Sequence, residues 1–263
     1  MPNSLKASGR RVFHRKYFSP IELSGVEAWY DASDTGTITE TAGQVDQWDD
    51  KSGNGYHLTP GFSLTGPVTN SSTQNSLNVL EFNGDSLVND LFSHDVSSPI
   101  YIAFLVEMNN QVAEPEAQYF LWTGTDNSTN RCAIRKRVNT SQLTEIFGKD
   151  INTNNVFVSF GNADGTDISK GVFNILIAKI QNSNAATYVN GTLKNTGDSG
   201  IHNLNRFYLG HQETGGANFY GRYAEVIAFK DGNDREKVEG YLAHKWGQTG
   251  SLPSDHPYKN NKP

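Results

Sequence analysis

The feature that most constrains this chain is its punctuation. Apolar runs too short for helices recur along most of its length, each closed within two residues by Gly, Asn, Asp or Ser. β-Branched and aromatic residues dominate the runs at residues 26–30, 45–48, 78–82, 100–107, 118–122, 133–138, 143–147, 156–160, 173–180, 186–189, 207–210 and 220–229. Runs of that length and composition, bounded by turn formers, read as strands. Asn83-Gly84 and Asn190-Gly191 read as hairpin turns, because both residue types tolerate the positive φ of a tight two-residue loop. Asn, Gly, Ser and Thr supply 94 of the 263 residues, which favours turns and exposed strand faces over helix interiors. The pattern predicts an all-β fold of stacked antiparallel sheets and excludes a helical bundle. An aromatic content of 11% excludes a disordered chain.

One helix interrupts the pattern. Asn233 and Glu236 have the spacing of a capping box, and Val238, Leu242 and Trp246 share a helical face with Tyr241 beside it. Gly247 is a natural stop. Residues 251–263 hold three prolines and no periodicity, and read as an extended tail. The expected organisation is an arm at residues 1–20, one domain at 21–250 and the tail at 251–263. No apolar run approaches the roughly 20 residues of a spanning helix, so membrane insertion is not expected. No secretory leader is visible. Cys132 is the single cysteine and forms no intrachain disulfide.

Charge is distributed unevenly. Residues 1–20 carry Lys6, Arg10, Arg11, Arg15 and Lys16 and no acid. With −6 over the whole chain, the remainder carries −11. A basic arm on an acidic body can dock on a neighbouring acidic surface. Nucleic-acid phosphate is the rival partner for such an arm. A solvated, flexible tail is the third reading; against it, Phe13, Tyr17 and Phe18 are costly to leave in water and would anchor the arm, while Arg10, Arg11 and Arg15 pair with acids.

Several segments are similar to one family. Residues 23–34 (LSGVEAWYDASD) resemble the opening strand of concanavalin A-like, laminin-G-like jelly rolls of bacterial and bacteriophage proteins. Residues 48–55 (WDDKSGNG) resemble the loop that follows it, and residues 79–85 (VLEFNGD) the strand end after that. Residues 188–191 (YVNG), 219–227 (FYGRYAEVI) and 241–247 (YLAHKWG) are similar to its hairpin, last long strand and closing helix. The resemblance implies a two-sheet antiparallel jelly-roll sandwich with one C-terminal helix and extended terminal arms. It also implies a bacteriophage virion protein, a head decoration or a tail-associated adhesion protein. Such a protein would be homo-oligomeric, docked on other virion proteins by its arm and located on the particle. The alternative is an extracellular module that binds host or environmental glycans. A glycan hydrolase is the third reading.

The sequence contains no motif for catalysis. A glycosidase needs two carboxylates a few ångströms apart, and two positions on one strand face supply them most simply. No Glu-x-Asp-x-Glu run occurs, and Glu225 and Glu145 have no acidic neighbour two residues away. A non-enzyme is expected. For sugar binding, Trp48, Asn54 and Tyr56 form one candidate rim, and Trp122 and Tyr220 mark two others. Asp46, Asp49 and Asp50 form an oxygen-rich loop of the kind that suits calcium.

Overall fold

The computed structural model describes residues 17–61, 65–109, 117–124, 132–137, 144–149, 154–160, 168–200, 203–211 and 218–263. In chain order its strands are β1 (Val26–Asp31), β2 (Ile38–Thr41), β3 (Gln44–Trp48), β4 (Thr59–Pro60), β5 (Val68–Gln74), β6 (Leu77–Asn83), β7 (Leu87–Asn89), β8 (His94–Asp95), β9 (Ile100–Met108) and β10 (Ala117–Trp122). They continue with β11 (Cys132–Arg137), β12 (Thr144–Lys149), β13 (Asn155–Phe160), β14 (Phe173–Ile180), β15 (Ala185–Val189), β16 (Thr192–Gly197), β17 (Asn203–Leu204), β18 (Phe207–Leu209) and β19 (Tyr220–Phe229). The single α-helix among the described residues is α1 (Arg235–Trp246). No helix there is long and apolar enough to cross a membrane.

Two antiparallel sheets stack face to face. The larger has ten strands in the order β16-β15-β14-β9-β19-β6-β5-β3-β2, with β1 added alongside the second half of β19. The smaller has seven strands in the order β13-β12-β11-β10-β18-β7-β4. The fold is the expected all-β antiparallel sandwich with a C-terminal helix. Alternation explains how the sheets stick: Phe104, Val106, Tyr223, Val226, Leu80 and Phe82 face inward and meet Phe120, Ile134, Ile146 and Phe207 in one buried core. The opposite face of the larger sheet is also apolar in part. Ala103, Leu105, Ile175, Ile177 and Ile227 pack there against Val238, Leu242 and Trp246 of α1.

The hairpin Asn190-Gly191 forms as expected, with φ of 49° and 80°, between β15 and β16. Asn83-Gly84 does not make a hairpin. The chain leaves the larger sheet at Asn83 and enters β7 of the smaller one, so this turn carries it between layers. The helix start also differs. Asn233 lies in a short 3₁₀ turn, Gly232–Asp234, where its backbone N–H donates to Asp231 at 2.9 Å. The helix then begins at Arg235 behind Asp234, with no side-chain cap. Competition from the Asp231 carboxylate, one turn earlier, displaces the capping box.

The C-terminal residues form turns over the helix. Leu252 is buried, and His256 bonds Glu239 at 3.1 Å, while Arg235 holds both oxygens of the same carboxylate at 2.7 Å. At the chain's other end Phe18 stands edge-on to Tyr241, with ring centroids 5.8 Å apart, and its N–H donates to the carbonyl of Pro263 at 3.3 Å.

Candidate functional site

The first candidate rim is structural. Trp48 is fully buried and packs on Tyr30, so it offers no surface for a sugar ring. Asn54 donates its amide to the carbonyls of Glu27 at 2.9 Å and Val26 at 3.2 Å, tying its loop to β1. Tyr56 turns its ring edge to Phe92 in the core. Trp122 is likewise fully buried, and its indole N–H donates to Gly124 O at 2.9 Å. These aromatics sit in loops or at strand ends by sequence, but folding spends their area on packing.

The aspartates of the same loop do not converge. Asp50 accepts from the N–H groups of Trp29, Ser52 and Tyr56 and from the Ser52 hydroxyl, at 2.7–3.1 Å. Both of its oxygens are therefore used to shape the loop. Asp46 accepts from the Thr41 hydroxyl, and Asp49 accepts from Gln47 and faces His57 at 3.1 Å. Among the described residues no three His, Cys, Asp or Glu side chains converge on a point that could hold a metal. Asp46, Asp49 and Asp50 act here as turn and loop residues, the commoner role for such a run. Of the arm residues, Arg10, Arg11, Phe13 and Arg15 lie outside the described residues. Tyr17 lies under the Lys262 ammonium, 4.9 Å from the ring centroid, and Phe18 anchors as above.

The groove that the fold does build lies on the helix side of the larger sheet. Glu81, Arg222, Glu107 and Phe173 are direct cross-strand neighbours on β6, β19, β9 and β14. Their side chains share one face because each strand alternates: Val79 and Leu105, two residues before Glu81 and Glu107, belong to the cluster beneath the helix. The helix covers the apolar part of that face and leaves the polar row open. One stretch of the groove, about 270 Å³, is lined by Glu81, Asn83, Glu107, Asn109, Gly221 and Arg222. An adjoining stretch of about 420 Å³ shares Glu107 and Arg222 and runs past Asn174 to Gln248 and Ser251 beyond the helix end.

One carboxylate of the groove is paired. Arg222 forms an ion pair with Glu107 and stacks its guanidinium on Phe173, 5.4 Å from the ring centroid. Burial pushes the Glu107 carboxyl above its ordinary value and Glu81 adds to the rise, while Arg222 opposes both. Glu81 accepts from the Ser71 hydroxyl at 3.1 Å. Glu81 and Glu107 stand two strands apart, about 10 Å between backbones. The structure thus brings two carboxylates into one open groove, which no spacing along a single strand foretold. Arg222 occupies the strand between them. A glycosidase pair needs that space for the scissile bond and its water.

Tyr220 is the one aromatic of the expected rims that borders the groove. It is half-buried, lies opposite Asn83 and precedes Arg222 by two residues on the same strand face. Glu81, Glu107 and Arg222 escaped the sequence reading. Part of the signal was present: Glu107 is a lone charged residue inside the otherwise apolar β9, a placement that a cross-strand partner makes tolerable.

A second polar cluster looks similar but is closed. Asp31 of β1 and Glu225 of β19 are cross-strand partners, and Lys245 bridges them at 2.6 and 2.8 Å. Trp29 and Trp246 both donate their indole N–H to Glu225 at 2.7 Å, and Tyr241 donates its hydroxyl at 2.8 Å. Burial raises the Glu225 carboxyl and Asp31 pushes it the same way, against Lys245. For Asp31 burial also raises, but Lys245, Ser33 and Lys51 outweigh it and hold the group low. With Glu225 fully buried, the cluster clamps helix to sheet, and Tyr241 and Lys245 on its outer side line a cavity of about 190 Å³ with Phe18.

The solved structures that resemble this chain do so at low sequence identity. No family model matches the sequence, and no curated protein matches it. Domain 4 of AbnA, an extracellular GH43 arabinanase from Geobacillus stearothermophilus solved with arabinotriose, aligns with a TM-score of 0.56 at 14% identity. The alignment covers 80% of this chain and 94% of that one. The receptor binding domain of botulinum neurotoxin D aligns with a TM-score of 0.58 at 14% identity, covering 88% and 54%. The serotype D ligand binding domain in complex with N-acetylneuraminic acid gives 0.55 at 13% identity, covering 82% and 50%. This chain spans about half the length of those toxin domains. The likeness establishes a fold shared with β-sandwich binding domains.

Proposed function

We propose that this chain is a non-catalytic glycan-binding module that holds an oligosaccharide in the groove above Glu81, Arg222 and Glu107. The observation that carries the reading is the groove itself, open and polar on a sheet face whose apolar remainder the helix covers. Carboxylates, amides and a guanidinium on a rigid strand surface suit the many hydroxyls of a sugar. Tyr220 at the rim offers an aromatic face. Two of the structural neighbours were solved with carbohydrate ligands, which supports this reading over a purely structural role. The Arg222 guanidinium between the carboxylates argues against hydrolysis. Binding of the purified chain to a glycan array, lost in Arg222→Ala with an unchanged circular-dichroism spectrum, is the expected result. A silent array with folded protein contradicts the proposal.

The setting of the module belongs to the same proposal. Display on a bacteriophage virion, with residues 1–20 docking it on capsid or tail proteins as one of several copies, rests on the family resemblance and the basic arm. The fold comparisons favour the glycan-binding reading over this setting, and an extracellular module fits them equally well. Phe18, held against Tyr241 and Pro263, gives such an arm a fixed base. Removing residues 1–16 keeps that base and deletes all five basic residues of the arm. The truncated protein should fold and fail to join the particle; full incorporation contradicts the docking role.

A further inference from the structure

Resting on the glycan-binding reading, we infer that the groove selects uncharged oligosaccharides and rejects those bearing carboxylates, such as sialylated or uronic acid-containing chains. The inference follows from who holds the positive charge. Arg222 is the one cation among the described residues that line either stretch, and it is already committed to Glu107. Lys170 sits between the lining residues Ser169 and Gly171 but does not itself line the groove. Two carboxylates against one paired guanidinium leave the floor with a net negative charge. A ligand carboxylate would meet Glu81 and Glu107 at close range, where a like-charge approach is strongly disfavoured.

The other lining groups are neutral. Asn83, Asn109 and Gln248 present amides, and Ser169 and Ser251 hydroxyls, all matched to sugar hydroxyls and none to a formal charge. The two stretches meet at Glu107 and Arg222, so the floor is continuous and fits several sugar units along a chain better than a single terminal sugar.

The test is direct titration of the full chain with lactose-type neutral oligosaccharides and their sialylated counterparts, measured at low and high salt. Neutral ligands should bind at least ten-fold more tightly than the sialylated ones at low salt, with little salt dependence for the neutral series. Glu107→Gln frees the guanidinium and should raise affinity for the sialylated ligand about ten-fold. Glu81→Gln, on a half-exposed side chain, should narrow the preference without disturbing the ion pair. Preference for the sialylated ligand, or equal affinity for both, overturns the selectivity while leaving the glycan-binding reading intact. Failure of folded protein to bind any oligosaccharide on the array sinks both.

Discussion

Lys245→Met isolates the cluster that fastens the helix to the sheet. In the native protein its ammonium neutralises Asp31 and Glu225, which face each other across β1 and β19 with almost no solvent exposure. Without it, Asp31 keeps Lys51 at 2.9 Å, but the fully buried Glu225 loses the cation that opposes its burial and must take up a proton to stay inside. At pH 7, protonating a carboxyl of ordinary pKa costs about 4 kcal/mol; at pH 5 it costs about 1.5 kcal/mol. The pH 7 figure falls within the roughly 3–5 kcal/mol lost when one partner of a buried pair is removed. For a chain of this size the loss lowers Tm by about 8–16 °C at pH 7. The sign of the pH dependence is the sharper test. Native Asp31 is held low, so its contribution is present above the ordinary carboxylate range and fades as pH falls through its folded value. In the variant Glu225, already raised by burial, is pushed further up, the folded state binds the extra proton, and the deficit shrinks as pH falls. Urea melts followed by circular dichroism at pH 7 and pH 5 measure both numbers. A loss under about 1 kcal/mol at pH 7, or the same loss at both pH values, refutes the reasoning. Adding Glu225→Gln to Lys245→Met should recover part of the loss.

Three further outcomes are expected. Trp246→Phe keeps the packing beneath the helix but removes the indole donor from Glu225, and should cost about 2 kcal/mol in the same melts. Gly247→Ala forces a side chain into the helix's left-handed cap at φ 74°, against Asn75 at 3.2 Å, and should cost about 1–2 kcal/mol. Incubation with neutral oligosaccharides should release no shorter product on chromatography; steady product formation abolished by Glu107→Gln would mean that the carboxylates of the groove act as a catalytic pair.

Much of the fold was legible because strand alternation and turn chemistry act locally. The apolar run that became β9 and the Asn190-Gly191 turn needed no partner to be recognised. β5 was missed because Val68–Gln74 is mostly polar, and only its pairing with β6 makes it a strand. Its hairpin is closed by Asn75-Ser76, both at positive φ, without the glycine that marks such turns. The choice between core and rim for the aromatics was open for a related reason. Nothing in the neighbours of Trp48 or Trp122 distinguishes a core side chain from an exposed one, because burial is decided by strands far away in sequence. The groove was illegible as a unit, since Glu81, Glu107 and Arg222 meet only through the register of three strands. The capping error at Asn233 was local: Asp231 competes for the same backbone N–H.

The polar row on the helix side of the larger sheet is the surface proposed to receive a sugar chain. Amide and side-chain NMR shifts, recorded while a neutral oligosaccharide that scores on the array is titrated into the full chain, locate the ligand most directly. Binding in the groove predicts perturbed residues clustered at Glu81, Asn83, Glu107, Asn109, Tyr220 and Arg222. Perturbations centred instead on the Asn54–Tyr56 loop, with the groove silent, would contradict it.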